Sequence, residues 1–388
     1  MSGVALVRWR RRNLAGLGAK LSAARGGRWC NTGGSCRRIL VLDPPARSFD
    51  PTILREAMAR RLYRRADATG EIKLPAVPSM VDEYVKMFGA LFAGLGVRHT
   101  ADEVAQLRSV LEREATKAFK SAPRSNIIVS FHAPLGATGL NYTVKSERWT
   151  IEEEYEQWMA IREPPLFGSQ PDARASALAG EAAEPGSYRV LDVGAGTGRN
   201  ALALARRGHP VDAVEITAKF ADVIRADAER ESLDVHVVEG DVFSYVEGVD
   251  WDYQLVVFSE VVPDFRTTRE LRGMFELAAG CLAPAGRLVF NAFLARDGYA
   301  PDDAARELGQ QFDSMIFTRE ELTSAAEDLP LALVADDSAI EYEKTHLPQG
   351  AWPPTGWFES WAGGLDVFDV ERDESPIELR WLVYQKDG

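Results

Sequence analysis

The hydrophobic positions follow helical spacing in the first part of the chain and alternate between strand and helix patterns later. Three amphipathic helices are predicted before residue 120, and each has one apolar stripe to bury, so the helices need one another. Two β-like runs follow at 126–132 and 140–144. Together these elements predict an accessory helical or α+β domain over residues 46–145. The helices are predicted at 50–65, 80–95 and 100–118.

From residue 188 onward, short apolar runs alternate with amphipathic helical segments. This alternation is typical of a mainly parallel sheet that helices cover on both faces, so the predicted fold class of residues 146–388 is α/β. A capping box of Thr318 and Glu321 opens one of the later helices. The strands are predicted at 188–193, 211–215, 235–239, 253–259, 287–293, 331–342 and 377–385.

Charge is distributed unevenly along the chain. Residues 1–42 contain nine Lys or Arg and no Asp or Glu, whereas the whole chain has a net charge of -13. We expect residues 1–45 to form a disordered basic tail, and an organelle transit segment is the alternative. The acidic balance disfavours nucleic acid as the main partner, because phosphate binding needs a basic face.

Other compositional features exclude several classes of protein. No stretch approaches twenty consecutive apolar residues, so no membrane span is predicted, and a soluble cytoplasmic protein is expected. The three cysteines, Cys30, Cys36 and Cys281, form neither a disulfide framework nor a zinc spacing. The five histidines also lack metal-ligand spacing, so no metal is predicted.

The clearest chemical signal is a glycine-rich turn between the first strand of the α/β region and the next helix. Gly194, Gly196 and Gly198 occupy alternate positions after Asp192. Such a turn lets the backbone approach a ligand and directs helix amides toward it, which predicts a nucleoside site. The dinucleotide fingerprint G-x-G-x-x-G has a different spacing, so a nicotinamide cofactor is disfavoured.

The segment 190–198, which reads Val-Leu-Asp-Val-Gly-Ala-Gly-Thr-Gly, resembles motif I of the class I S-adenosylmethionine-dependent methyltransferases. The resemblance implies S-adenosyl-L-methionine as the cofactor. It also implies a Rossmann-like doubly wound sheet, mostly parallel with a late antiparallel strand. Residues 190–295 look most like the small-molecule methyltransferases of the tellurite-resistance type, in which Gly-Arg-Asn-Ala-Leu also follows the glycines. The accessory domain looks like one that is fused to methyltransferases of unassigned substrate, so the resemblance implies no particular acceptor molecule.

The resemblance further implies which residues bind the cofactor. Asp192 would support the loop and the methionine end, and Glu215 would accept both ribose hydroxyls. Asp241 would accept from the adenine amine, with Val242 packed on the ring. The turn 284–286 resembles the Pro-Gly-Gly turn of the family, with Ala285 as a departure. The predicted cofactor-binding set is Asp192, Gly194, Ala195, Gly196, Gly198, Asn200, Glu215, Ile216, Asp241, Val242 and Ser259.

Acceptor chemistry is expected after the fourth strand, in residues 259–265. Glu260 is the first candidate acid or base near the methyl group, and Asp264 is the second. The motifs typical of amide or adenine amine methylation and of cytosine methylation are both absent, which favours a small-molecule acceptor over nucleic acid. Two aromatic groups have two interpretations each. The first group, Tyr155, Trp158 and Phe167 before the first strand, either closes a lid over the cofactor and acceptor, as the resemblance implies, or packs between the domains. The second group, in residues 352–361, either walls the acceptor cleft or fills a hydrophobic seam.

Two functions of different classes follow from these patterns. The first is an enzyme that methylates a small molecule. The second is a non-catalytic S-adenosylmethionine-binding regulatory module, whose accessory domain signals the cofactor status to a partner. The patterns predict no oligomeric state.

Overall fold

The computed structural model describes residues 50–63, 67–97, 99–134, 140–161, 165–245 and 252–388. The predicted basic tail, with Cys30 and Cys36, lies outside these residues. The chain divides into two compact units, residues 1–54 and 55–388. None of the described helices is long and apolar enough to cross a membrane. Nor do the described residues contain a cluster of His, Cys, Asp or Glu suited to a metal ion.

From residue 190 to residue 338, strands and helices alternate as the hydrophobic pattern predicts. The described helices are α1 (Pro51–Tyr63), α2 (Val81–Gly94), α3 (Ala101–Ser121), α4 (Ile151–Ile161), α5 (Ala173–Ala179), α6 (Arg199–Ala205), α7 (Ala218–Glu231), α8 (Val242–Tyr245), α9 (Thr268–Cys281), α10 (Asp303–Gln311), α11 (Arg319–Ala326), α12 (Ala339–His346) and α13 (Phe358–Ala362). The described strands are β1 (Ala68–Pro75), β2 (Asn126–Ala133), β3 (Asn141–Glu147), β4 (Val190–Val193), β5 (Val211–Glu215), β6 (Val235–Glu239), β7 (Tyr253–Phe258), β8 (Leu282–Ala295), β9 (Ile316–Phe317), β10 (Leu331–Ser338) and β11 (Ile377–Lys386).

The main sheet has the order β10-β11-β8-β7-β4-β5-β6, and β9 pairs with β8 off this path. The strands from β4 to β8 pair in parallel, whereas β11 is antiparallel to β8 and β10 is antiparallel to β11. Every residue of the central strand β4 is buried, as expected where helices cover both faces of a parallel sheet. The predicted α/β class and the late antiparallel strand are confirmed.

One edge of this sheet collects the chemically informative residues. Because β4, β5, β6 and β7 are parallel, their carboxyl ends meet at the same edge. The glycine turn follows β4, Glu215 ends β5, Asp241 follows β6 and Ser259 follows β7. The topology therefore brings together positions that lie between Gly194 and Ser259 in the sequence.

Residues 68–147, which we call the accessory segment, form an antiparallel sheet in the order β1-β2-β3 with α2 and α3 against it. Its apolar cluster includes Phe88, Phe92 and Leu111 and is separate from the two clusters of the main sheet. The predicted β-like runs are the β2–β3 hairpin. The sequence pattern missed β1, in which alternate positions are exposed and polar or small residues are frequent. The domain division at residues 46–145 stays a prediction.

One late strand is shorter than the hydrophobic pattern predicts. The predicted strand 331–342 ends at Ser338, and α12 begins at Ala339. Ala339, Ile340 and Glu343 are buried on one side of this helix, which is the spacing of a helical face. The buried Glu343 carboxylate accepts from the backbone amides of Ala173 and Arg174, so a tertiary contact favours the helix here.

The turn before the central part of β8 allows a paired stability test. Ala285 has φ 61°, a left-handed conformation that disfavours a side chain, and it is exposed. The next residue, Gly286, has no room for a Cβ, which would lie 2.8 Å from the carbonyl oxygen of Tyr253.

We expect Ala285→Gly to raise the free energy of unfolding by about 0.5–1 kcal/mol, because relief of the left-handed strain exceeds the entropy that glycine loses on folding. Gly286→Ala should lower it, because the backbone must move. Urea denaturation of the three proteins measures both effects. A lower stability of Ala285→Gly would contradict the assigned conformation.

Candidate functional site

A cavity of about 590 Å³ lies where the carboxyl ends of the central strands meet. Its lining includes the glycine turn, the ends of β5 and β7, and the residues that follow β6. The accessory segment contributes Arg124, and the C-terminal region contributes Trp357 and Trp361. The volume is in the range of sites for small molecules and cofactors. All thirteen sequence candidates except Gly198 line this cavity.

The glycine turn has a conformation that other residues would strain. Gly194, Gly196 and Gly198 have φ values of 65°, 56° and 88°. A Cβ on Gly194 would lie 2.3 Å from Cγ2 of Val261, and a Cβ on Gly198 would lie 2.8 Å from the side chain of Leu202. The turn therefore needs glycine for both its backbone angles and its close packing.

Glu215 connects the glycine turn to β5 and is only 4% exposed. One carboxylate oxygen accepts from the amide of Gly196 at 2.7 Å, and the other accepts from the amide of Thr217 at 2.8 Å. Burial raises the pKa of this carboxyl, and the two amides oppose that shift. Because a carboxylate has about four acceptor sites, Glu215 has capacity for two further donors.

Asp192, at the end of β4, is 2% exposed. Its Oδ2 atom has no hydrogen-bond partner within the described part of the protein. Burial raises the pKa of this carboxyl to about 7, and the negative charge of Asp172 adds to the shift. An unsatisfied buried acceptor is costly, so Asp192 is suited to a ligand group that donates a hydrogen bond or carries positive charge.

Asp172 joins three segments beneath the cavity. Its carboxylate accepts from Arg199 at 2.7 Å, from the Asn200 amide at 2.7 Å and from the Ser259 hydroxyl at 2.6 Å. The motif-based prediction placed Asn200 and Ser259 in the cofactor site, and both line the cavity while bonding to Asp172. It missed Asp172 and Arg199, although Arg199 belongs to the Gly-Arg-Asn-Ala-Leu sequence.

Glu260, the first catalytic candidate, forms an ion pair with Arg199 at 2.6 Å. Its φ is 59°, and its backbone amide donates to Oδ1 of Asn291 at 2.8 Å. Burial raises the pKa of the Glu260 carboxyl, and the charge of Arg199 opposes this shift. Glu260 is therefore held in one position by its backbone and by its carboxylate.

Asp264, the second catalytic candidate, lies in the short 3₁₀ turn after β7. Its carboxylate pairs with Arg124 of the accessory segment at 2.8 Å, and Arg124 also pairs with Asp313. Sequence reasoning missed Arg124 and Asp313 because neither lies in a recognisable motif. Arg124 reaches the cavity through the packing of the accessory segment, whereas Asp313 follows α10 of the α/β region.

The predicted adenine-binding residues meet at another part of the cavity. Asp241 is exposed and accepts from the backbone amide of Phe243 at 3.0 Å, whereas Val242 is buried. Ile216 lines the same cavity and is 51% exposed. An exposed apolar side chain next to a carboxylate is suited to a flat polar ring.

The aromatic residues before β4 both line the cavity and pack against α7, one of the helices that cover the main sheet. Tyr155 and Phe167 contact the ring of Phe220, with centroids 5.2 and 5.5 Å apart. Phe167 also lies beside Gly196, where an added Cβ would be 3.4 Å from the ring. Trp361 is likewise buried in the core and lines the cavity. These aromatic side chains therefore both line the cavity and pack within the fold, and their contact with a cofactor or an acceptor stays a prediction.

The raised pKa of Asp192 predicts a pH-dependent stability. Since its folded-state pKa of about 7 exceeds the unfolded value, its stabilising contribution is complete at acidic pH and is lost as the pH rises through about 7. We expect Asp192→Asn to reduce this loss, so its stability relative to the original protein should increase from pH 5 to pH 8. Urea denaturation across this range measures the difference.

Glu343 provides the control for this pH dependence. Burial raises its pKa to about 7 as well, although it bonds to α5 and to Trp381 and does not line the cavity. Glu343→Gln should therefore remove a separate part of the pH dependence. Parallel stability curves for Asp192→Asn and the original protein would contradict the assignment of a raised pKa to Asp192.

Comparison with known protein families gives one match, and the matched segment contains several residues of the cavity. Residues 190–286, which are 97 of the 388 residues, match the family model described as a methyltransferase domain. The matched segment contains the glycine turn, Glu215, Asp241 and both catalytic candidates. No curated protein matches the sequence.

Similar solved structures include enzymes of several kinds. The [4+2]-cyclase SpnF is 17% identical, with a TM-score of 0.40 and coverage of 56% of this chain and 80% of its own. Geranyl diphosphate C-methyltransferase from Streptomyces coelicolor A3(2) is 18% identical, with a TM-score of 0.40 and coverage of 55% and 80%. A sarcosine dimethylglycine methyltransferase assigned in Galdieria sulphuraria is 16% identical, with a TM-score of 0.40 and coverage of 55% and 84%.

Structural similarity at these identities and TM-scores says nothing about the activity or the acceptor of this chain. The enzyme class is therefore argued from the family match and from the geometry of the matched segment. The match supports the methyltransferase class that motif I implies. Residues 190–286 of this chain are therefore similar to the methyltransferase domain that the family model describes.

Proposed function

We propose that this protein transfers a methyl group from S-adenosyl-L-methionine to a small-molecule acceptor. One observation carries the proposal. Asp192, Glu215 and Asp241 lie at the carboxyl ends of three adjacent parallel strands and line the same cavity as the glycine turn. Each acid is then assigned to a different part of the cofactor, as the resemblance to the class I methyltransferases implies.

The charge of the cavity supports a cationic cofactor. The described residues of its lining include two arginines, and each is ion-paired with two carboxylates. Asp192, Glu215 and Asp241 add three more acidic groups. S-adenosyl-L-methionine carries a sulfonium, an ammonium and a carboxylate group and is therefore a net cation, whereas the pyrophosphate of a nicotinamide dinucleotide would be repelled.

The residues fit the parts of this cofactor as follows. The unsatisfied Oδ2 of Asp192 serves the methionine end, and the spare acceptor capacity of Glu215 serves the ribose hydroxyls. Asp241, Val242 and Ile216 form the adenine end. Asn200 and Ser259 contribute through Asp172, whose position they fix.

A sulfonium methyl group already has a good leaving group when the cofactor is bound. The chain therefore has to align the acceptor, exclude water and, for a protonated acceptor, hold or remove a proton. Glu260 and Asp264 are the proposed groups for this task, because both line the cavity after β7. Their arginine partners keep the carboxylates oriented, and Phe167, Tyr155 and Trp357 limit the access of water.

We also propose three further points from the sequence alone. The chain is most similar to the tellurite-resistance type of methyltransferase, it is located in the cytoplasm, and it is divided into an accessory domain and a methyltransferase domain. The family match, which covers 190–286, supports the enzyme over the non-catalytic module.

Glu215→Gln tests the site directly. We expect the affinity for S-adenosyl-L-methionine to fall about 10- to 100-fold, since a charged acceptor of two hydroxyl groups becomes neutral. Isothermal titration calorimetry with S-adenosyl-L-methionine, S-adenosylhomocysteine and NAD measures the change. Glu239→Gln is the matched control, because Glu239 pairs with Glu215 across β5 and β6 but does not line the cavity.

Unchanged cofactor affinity in Glu215→Gln would remove this residue from the site. Tight binding of NAD without the other two ligands would overturn the proposed cofactor. The folded state of each variant is checked by thermal denaturation, because Glu215 also holds the glycine turn.

A turnover experiment separates the enzyme from the regulatory module. We expect labelled methyl groups to move from S-adenosyl-L-methionine to a metabolite of a cell extract, at a rate that Glu260→Gln and Asp264→Asn reduce. Untargeted mass spectrometry identifies the labelled product. Intact cofactor binding without any transfer across extracts would favour the non-catalytic module.

A further inference from the structure

The cavity lining extends beyond the matched segment, and the added part is mainly aromatic. Ten residues of the described lining lie outside residues 190–286, and six of these ten have aromatic side chains. Within the matched segment, only four of 23 described lining residues are aromatic. Three of the six aromatic residues lie after α10, just before α13 and within α13, and we call them the C-terminal aromatic wall. They are Phe312, Trp357 and Trp361.

The other aromatic residues outside the matched segment lie beside the glycine turn. Tyr155 and Phe167 contact the ring of Phe220 on α7, and Phe167 also lies next to Gly196. These side chains are therefore close to residues assigned to the cofactor. The C-terminal aromatic wall contains no residue of the predicted cofactor set, and its surroundings are different.

Hydrogen bonds join the C-terminal aromatic wall to the turn after β7, where acceptor chemistry is expected. The indole nitrogen of Trp361 donates to the carbonyl oxygen of Asp313, the residue after Phe312, at 3.0 Å. In the same turn, the amide of Met315 donates to the carbonyl oxygen of Pro263 at 2.9 Å. Pro263 lies between the two catalytic candidates in the sequence. The wall is consequently fixed beside the segment that carries those candidates.

The wall is held by the core and still has apolar surface for a ligand. Trp361 is 6% exposed, and its ring stands edge-on to Phe293 with centroids 5.2 Å apart. Trp357 packs edge-on against Trp361 at 5.6 Å and is only partly buried. Phe312 is 42% exposed. Phe312 and Trp357 therefore present aromatic surface, which Trp361 connects to the core.

The residues that flank Phe312 are polar, and both bond to the accessory segment. The side-chain amide of Gln311 donates to the carbonyl oxygen of Pro123. The carboxylate of Asp313 pairs with Arg124. An apolar ring on Phe312 leaves both contacts in place, because it needs no hydrogen-bond partner of its own.

We propose that the C-terminal aromatic wall binds an aromatic ring of the acceptor, so that the methyl acceptor is an aromatic molecule and not a saturated one. The inference rests on the proposed methyltransferase function and names the chemical class of its acceptor. Aromatic rings in edge-to-face or offset contact gain attraction beyond the burial of their area, and a saturated ring does not. The bound ring then lies beside the turn that carries Glu260 and Asp264.

The test uses the full chain saturated with S-adenosylhomocysteine and two alcohols that share one carbon skeleton. Naphthylmethanol has two aromatic rings, and decahydronaphthylmethanol has the same rings in saturated form with the same hydroxyl group. Apolar burial alone favours neither alcohol, so the difference in affinity measures the contact between aromatic rings. We expect calorimetry to show that naphthylmethanol binds about fivefold to tenfold more tightly. Equal or tighter binding of the saturated alcohol, or no binding of naphthylmethanol, would overturn the proposal.

Substitutions in the wall locate the binding. Trp357→Leu and Phe312→Leu should each weaken naphthylmethanol about threefold to tenfold and leave the saturated alcohol nearly unchanged, since leucine keeps apolar bulk without a ring. Trp352→Leu is the matched control, because Trp352 also contacts the ring of Phe358 but is not among the described residues that line the cavity. It should change neither affinity. An equal loss for both alcohols in the wall variants, or no loss for either, would contradict the assignment.

The labelled product of the turnover experiment gives a second check. We expect that product to contain an aromatic ring, and its yield to fall in Trp357→Leu more than in Trp352→Leu. A labelled product without an aromatic ring would overturn the acceptor class.

Titration with S-adenosylhomocysteine separates the proposed function from the acceptor class. Unchanged affinity for this ligand shows that a variant is folded, and Phe312→Leu, at an exposed position, keeps the test decisive if Trp357→Leu does not fold. If the original protein does not bind S-adenosylhomocysteine, the proposed function fails and the acceptor class fails with it. If the ligand binds while naphthylmethanol is not preferred, only the acceptor class fails.

Discussion

The buried ion pairs of Arg199 are the constraint on which the site depends. This guanidinium group contacts Asp172, before α5, and Glu260, after β7, while its own backbone begins α6. Three segments far apart in sequence thus converge on one charge. Burying an ion is costly unless it is paired and hydrogen-bonded, and loss of one partner leaves an uncompensated charge in the interior. The residues around Arg199 therefore have little freedom to move independently.

The same network accounts for the unusual backbone beside it. Glu260 adopts φ 59° without being glycine, and Asn291 and Arg199 hold its amide and carboxylate in that conformation. Val261, the next residue, fills the space that a Cβ on Gly194 would occupy. The turn after β7 and the glycine turn after β4 are consequently packed as one unit. The strained backbone of Glu260 persists because several surrounding contacts fix it in the same conformation.

The accessory segment relates to this site through electrostatics as well as packing. Its apolar cluster is separate from the clusters of the main sheet, yet its Arg124 lines the cavity and pairs with two carboxylates there. In the proposed function, the residues assigned to the nucleoside belong to the α/β region, whereas Arg124 of the accessory segment adds to the lining of the same cavity. Such a division allows one cofactor site to serve different acceptors when the added segment changes.

The sequence by itself determined the α/β class, most strands and the glycine turn, because these depend on local hydrophobic spacing and on backbone angles that few residues adopt. It also placed Glu215 and Asp241 at the ends of consecutive strands, since parallel strands align their carboxyl ends. The strand β1, the helix α12, and the roles of Asp172, Arg199, Arg124 and Asp313 were decided by the tertiary structure. Their partners lie far away in sequence, and neither charge pairing nor burial across such distances leaves a periodic signal in the chain.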